Sequence, residues 1–128
     1  AIDSTVQIVF GGEVFDQGAN FASNTFTAPV AGRYQLSFGL KVKEMDKAAT
    51  YYAFYITTSN RTYSQQFDPA NGLADDSSYE TFCVSVLADM DAADTVACNF
   101  RQAGGAQQTD LDSDSTNPMT WFSGYLAC

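Results

Sequence analysis

From Arg33 to Lys43 the chain alternates without a break: Tyr34, Leu36, Phe38, Leu40 and Val42 are apolar, and the residues between them are polar or small. Successive side chains of a strand point to opposite faces, so a period of two specifies a β-strand with one buried face and excludes the 3.6-residue period of an amphipathic helix. Such a strand needs a second layer against its apolar face.

The rest of the chain supplies candidates for that layer. Val6, Ile8 and Phe10 form a short strand ending at Gly11-Gly12, and Glu13-Val14-Phe15 reads as another extended piece. Phe21 to Gly32 reads as an edge strand ending in a turn, because Pro29 is excluded from helix interiors and central strands. Tyr51 to Thr58 is apolar on both faces and calls for cover on each side; Thr62 to Phe67 completes a hairpin with it. Asp68 to Ser77 is a loop, Phe82, Val84, Val86 and Ala88 mark a further strand, and Val96, Cys98 and Phe100 another. Ala103 to Pro118, rich in Gly, Ser and Asp, is assigned to the surface, and the last strand runs from Met119 to Ala127. Many short strands with no helical pattern describe an all-β sandwich or jelly roll, and 128 residues make a single domain, 1–128.

Composition narrows the function. Net charge is −9 with six basic residues, which disfavours nucleic acid and anionic membrane surfaces as partners. No apolar run reaches the ~18 residues of a membrane span, so no membrane insertion is expected. The chain has no histidine, which removes Ser-His-Asp and Cys-His mechanisms and the usual zinc ligand sets. A glycosidase-like carboxylate pair has no spacing signature to place it. The expectation is a protein that is not an enzyme.

In sequence order, Phe15-Asp16, Asn20-Phe21, Phe26-Thr27-Ala28-Pro29-Val30-Ala31-Gly32-Arg33-Tyr34 and Phe38 resemble the first half of a C1q-like globular head. Ser85 to Val96, with its Asp-Thr-Val restart, and Phe122-Ser123-Gly124-Tyr125-Leu126 are similar to that family's later strands. The likeness spans nearly the whole chain; the Phe21-to-Phe26 spacing is shorter than the family's, and Ala93 stands where a glycine is common. Tyr55 to Tyr63 and the Thr120-to-Tyr125 ending look more like its microbial and viral branch, which supplies tips of phage tail fibres and surface filaments. The resemblance implies a ten-stranded jelly-roll β-sandwich of C1q and tumour-necrosis-factor topology, assembled as a homotrimer, on an upstream stalk, at an extracellular or virion surface. Its members recognise ligands, here a cell-surface glycan or protein. The aromatic content gives a separate reason to expect association, since a small sandwich has limited interior for eighteen large rings. A trimerisation cap that binds nothing and a carbohydrate-active enzyme are the rival readings.

Candidate site residues follow. Asp110, Asp112 and Asp114 place three alternate carboxylates on one loop, which fits Ca2+; the loop is not an EF-hand, because Ser115 holds the glycine position and Trp121 that of the closing glutamate. Some C1q-like heads hold calcium, which adds to that reading. Asp75-Asp76 is a weaker pair of the same kind. Arg61, Tyr63, Arg101 and Trp121 are the ligand-binding candidates, with Asp75, Asp76, Gln107 and Gln108 as further exposed polar groups, since loop-borne aromatic and polar side chains are what recognition requires. Asn60-Arg61-Thr62 fits a glycosylation acceptor or simple turn chemistry. Three cysteines allow one disulfide, with Cys83 to Cys98 the feasible pair and Cys128 left over.

Overall fold

The computed structural model describes residues 1–114 and 116–128. The alternation through Tyr34 to Val42 lies within β4 (Gly32–Met45), which pairs antiparallel with β7 (Ser77–Met90), from Gly32 opposite Met90 to Met45 opposite Ser77. The other edge of β4 is divided between two short strands. β10 (Trp121–Leu126) pairs with Tyr34 to Gly39, and β9 (Asp110–Asp112) pairs with Lys41 to Lys43. These four strands form one antiparallel sheet.

The second sheet has six strands. At its centre β5 (Tyr51–Thr58) pairs with β8 (Thr95–Ala103), and β6 (Thr62–Phe67) flanks β5. The far edge of β8 is also shared, by β1 (Thr5–Gln7) and by β3 (Thr25–Thr27), which carries β2 (Phe21–Ala22) outside it. Ser23 and Asn24 both have positive φ, 51° and 59°, the backbone a two-residue hairpin between β2 and β3 requires.

Inward side chains of both sheets make one cluster. Tyr34, Leu36, Phe38, Leu40 and Val42 from β4 meet Tyr52, Phe54 and Ile56 from β5 and Val96, Cys98 and Phe100 from β8. Phe54 stacks on Phe82 of the opposite sheet at 4.5 Å, and Phe21 on Phe122 at 5.4 Å, contacts worth about 0.5–1.5 kcal/mol beyond area burial. The chain is therefore all-β, with two antiparallel sheets packed as in a β-sandwich and ten strands among the described residues. Among the described residues, no helix is long and apolar enough to cross a membrane.

Five local expectations are corrected. Glu13-Val14-Phe15 is not a strand: after Gly11-Gly12 the chain loops outward, and Asp16 closes that loop by accepting the amides of Asn20 and Phe21, both at 3.0 Å. The Asp68-to-Ser77 loop opens with one helical turn, α1 (Pro69–Gly72), because Asp68 accepts the Ala70 amide and Pro69 fits the first helical position. Ala103 to Pro118 is not all surface. Its β9 pairs with β4, and Thr109 is buried, its hydroxyl 2.7 Å from that of Tyr52. Among the described residues no third layer covers the outer face of β5: Ala53 is buried between Gln66 and Arg101 in register, and Tyr51 and Tyr55 stay half-exposed. Cys83 and Cys98 form no disulfide, because β7 and β8 lie in different sheets, with Cys83 on an exposed outer face and Cys98 in the core.

A buried carboxylate ties the loop after β8 to the β4–β5 turn. Asp46 Oδ2 accepts the amides of Ala106 at 2.7 Å and Gln107 at 2.9 Å, and Oδ1 that of Ala48 at 2.7 Å. The amides of Gln107, Ala106 and Ala48 hold its pKa below the ordinary aspartate value, against the opposing effect of burial.

Candidate functional site

The same alternation that buries one face of β4 displays the other. On the outer face of the four-stranded sheet, register aligns Trp121 with Gly39 and Cys83, Ser123 with Ser37 and Ser85, and Tyr125 with Gln35 and Leu87. The middle of this face is low and flat. Gln35 Nε2 donates to Ser85 Oγ at 2.7 Å, and the Ser37 and Ser85 hydroxyls lie 2.9 Å apart. Around that centre stand Tyr125 (60% exposed), Leu87 (51%) and Trp121 (37%), with Tyr79 (60%) towards the Lys41 end. Among the described residues these are four of the nine large apolar side chains left exposed; the others lie in the loop ahead of β2 (Val9, Val14, Phe15), at Val30 before β4, and at Leu126. None is on the six-stranded sheet.

Charge marks the two ends of this face. At one, Lys41 Nζ lies 3.1 Å from Asp112 Oδ2 and 4.5 Å from the centre of the Tyr79 ring, and Lys43 Nζ is 3.5 Å from Asp112 Oδ1. At the other, Arg33 is in register with Asp89. Beside β10, an open hollow of about 740 Å³ is lined by Phe10, Phe21, Phe26 and Phe122, with Val14 and Phe15 contributed by the outward loop.

The four ligand-binding candidates are not brought together. Arg61 sits at the β5–β6 tip in a 2.7 Å ion pair with Asp89. Tyr63 is half-buried and packs against the core. Arg101 lies on the six-stranded sheet, its Nη1 donating to the Asp3 carbonyl at 2.9 Å. Trp121 alone belongs to the apolar face. Asn60, at the same tip as Arg61, donates through Nδ2 to the Asp89 carbonyl and to Asp94 Oδ2, at 3.1 and 3.0 Å. Asp76 accepts the Lys47 amide at 2.8 Å, Asp75 and Gln107 are exposed, and Gln108 donates to Asp110 at 3.2 Å.

The acidic loop is likewise divided. Asp112 is held by Lys41 and Lys43, and hydrogen bonding from Lys41 holds its pKa below the ordinary value. Asp110 receives Gln108, and Asp114 accepts the amides of Thr116 at 2.7 Å and Asn117 at 3.3 Å. Ser115 lies outside the described residues. Among those that are described, no group of three acidic or cysteine side chains converges to hold one ion. The lysines supply the positive charge that mutual repulsion of the carboxylates calls for.

Sequence reasoning missed Tyr79, Leu87 and Tyr125. A signal was present for Leu87: it follows Val84 and Val86 one step out of phase, an apolar residue where the alternation calls for a polar one. Trp121 and Tyr125 bear the same relation to Phe122. The chain matches no family model and no curated protein.

Proposed function

We propose that this chain is the C1q-like, jelly-roll head of a homotrimeric fibre or filament, displayed at an extracellular or virion surface, and that it recognises a cell-surface glycan or protein without catalysis. The observation that carries this reading is the concentration of Tyr79, Leu87, Trp121 and Tyr125 on one sheet face, with small residues between them. An exposed apolar group of this kind marks a protein contact, and low side chains at its centre allow close approach. Three copies meeting through this face would turn their six-stranded sheets outward. Three weak sites on one rigid body then raise avidity well above that of a single site.

Sedimentation of the purified chain tests the assembly. A trimer gives three times the 13.8 kDa chain mass, and Leu87→Asp together with Tyr125→Ser returns it to 13.8 kDa while the circular dichroism of the fold is kept. A wild-type chain sedimenting as a monomer at micromolar concentration overturns the reading. Binding of the trimer to cells or to arrayed glycans separates a receptor head from a cap that only registers a stalk.

A further inference from the structure

We infer that the outer face of the six-stranded sheet is a binding platform for a neutral oligosaccharide. The inference rests on the recognition role proposed above and assigns it a place and a ligand class.

The chain carries fifteen acidic residues, and none occupies an outward position on β1, β3, β5, β6 or β8. Register instead aligns Gln7, Asn99, Tyr55 and Ser64 in one row across four strands. A parallel row runs through Thr25, Ala97, Thr57 and Thr62, and a third through Thr5, Arg101, Ala53 and Gln66. Three rows two residues apart on strands about 4.8 Å apart give a platform roughly 14 Å on each side. Its one formal charge, Arg101, is already turned to Asp3, with Nη2 4.0 Å from Oδ1.

Nine of the twelve side chains in these rows carry a hydroxyl or an amide, groups that both donate and accept, as sugar hydroxyls do; Ala53, Ala97 and Arg101 are the others. Two amides are braced: Asn99 Nδ2 donates to Thr57 Oγ1 at 3.1 Å, and Gln7 Nε2 to the Asn24 carbonyl at 3.1 Å. The half-exposed Tyr55 ring, in register between Asn99 and Ser64, gives the row an apolar surface for the C–H face of a sugar ring.

Charge selects within the glycans. The body carries −9 and the platform no free cation cluster, so sulfated or sialylated chains are repelled. A protein partner would need several large apolar side chains at the centre of the contact; among the described residues these rows offer the half-exposed Tyr55 ring alone, and the fully exposed ones lie elsewhere.

The test is titration of the 15N-labelled full chain with mannotriose, N-acetylchitotriose and lacto-N-neotetraose as neutral probes and 3′-sialyllactose as the charged one. Amide shifts from at least one neutral probe should fall on β1, β5, β6 and β8. Tyr55→Ala should weaken that probe at least about tenfold, and Tyr55→Phe, which keeps the ring, by under about threefold. Asn99→Ala serves as a second variant if Tyr55→Ala does not fold. Response to no neutral probe, response only to sialyllactose, shifts confined to β4, β7 and β10, or wild-type affinity in the variants would overturn the inference. Sedimentation of the same sample separates this from the trimer: a monomer whose shifts map to the platform sinks the assembly and leaves the ligand site standing.

Discussion

The indole of Trp121 fills the space that a side chain at Gly39 would need: a Cβ there would collide with Nε1, Cε2 and Cζ2 of the ring. Trp121 and Gly39 are also register partners across β10 and β4, so the missing side chain of one residue seats the large side chain of the other. Gly39→Ala should displace the ring. Since Trp121 is the chain's one tryptophan, the displacement reads out directly as a shift in emission, together with a loss of about 1–3 kcal/mol in denaturant unfolding. Unchanged emission would show that the indole is seated by something other than this gap.

Asp46 accepts three backbone amides while buried, so Asp46→Asn should cost about 2–3 kcal/mol at neutral pH. The sign of the pH dependence follows from its lowered pKa. The ionised carboxylate contributes fully above the ordinary aspartate range, and that contribution is lost as pH falls through the depressed folded value. The stability gap between wild type and Asp46→Asn should therefore narrow on acidification, measured by urea unfolding at pH 7 and pH 3. A gap that widens in acid would contradict the assignment.

Thiol labelling distinguishes the three cysteines. Burial pushes the Cys98 thiol up to about 12, so it should stay unmodified in the native protein at pH 8. Cys83 and Cys128 are exposed on the single chain. If three copies meet through the Trp121–Gly39–Cys83 row, Cys83 becomes protected in the trimer and reacts only after Leu87→Asp and Tyr125→Ser separate the chains. Peptide mass mapping after brief alkylation reads each site, and equal Cys83 labelling in both forms would place the subunit contact elsewhere.

Ala93 sits at φ +73° in the turn between β7 and β8. An L-residue with a Cβ is strained there by about 1–2 kcal/mol, and glycine is not. Ala93→Gly should stabilise by about 1 kcal/mol, some part of the relief being offset by the larger unfolded-state entropy of glycine. For a chain of this size that is a rise of about 3–5 °C in melting temperature. A fall would show that the turn is held by its contacts regardless of the backbone strain.

The strands that the sequence made legible are those whose own alternation carries the information. β4, β5, β6, β7 and β8 fall where Tyr34 to Val42, Tyr51 to Thr58, Thr62 to Phe67, Phe82 to Ala88 and Val96 to Phe100 place them. β9 was not legible, because Asp110 and Asp112 are poor strand formers; their pairing depends on Lys41 and Lys43, some seventy positions away in sequence. The sequence signal for the ligand-binding candidates is an aromatic or polar residue in an expected loop. That criterion could not know that Arg61 would be engaged by Asp89 or that Tyr63 would turn inward. The two sheet faces were harder still, since one is assembled from three strands and the other from five, whose register no local window contains.

The division of one edge of β4 between β9 and β10 has a consequence for how such a chain can vary. Asp112 pairs opposite Lys41 and Trp121 opposite Gly39, so the two ends of the connection between them are held two residues apart on one strand, about 7 Å. Doubling the length of such a loop raises its closure cost by only about 0.6 kcal/mol. The strand ends at Asp112 and Trp121 are thus fixed terminals beside the apolar face, with Thr120 buried and bonded to the Asp112 carbonyl at 2.5 Å, so that added sequence between them need not redraw either sheet.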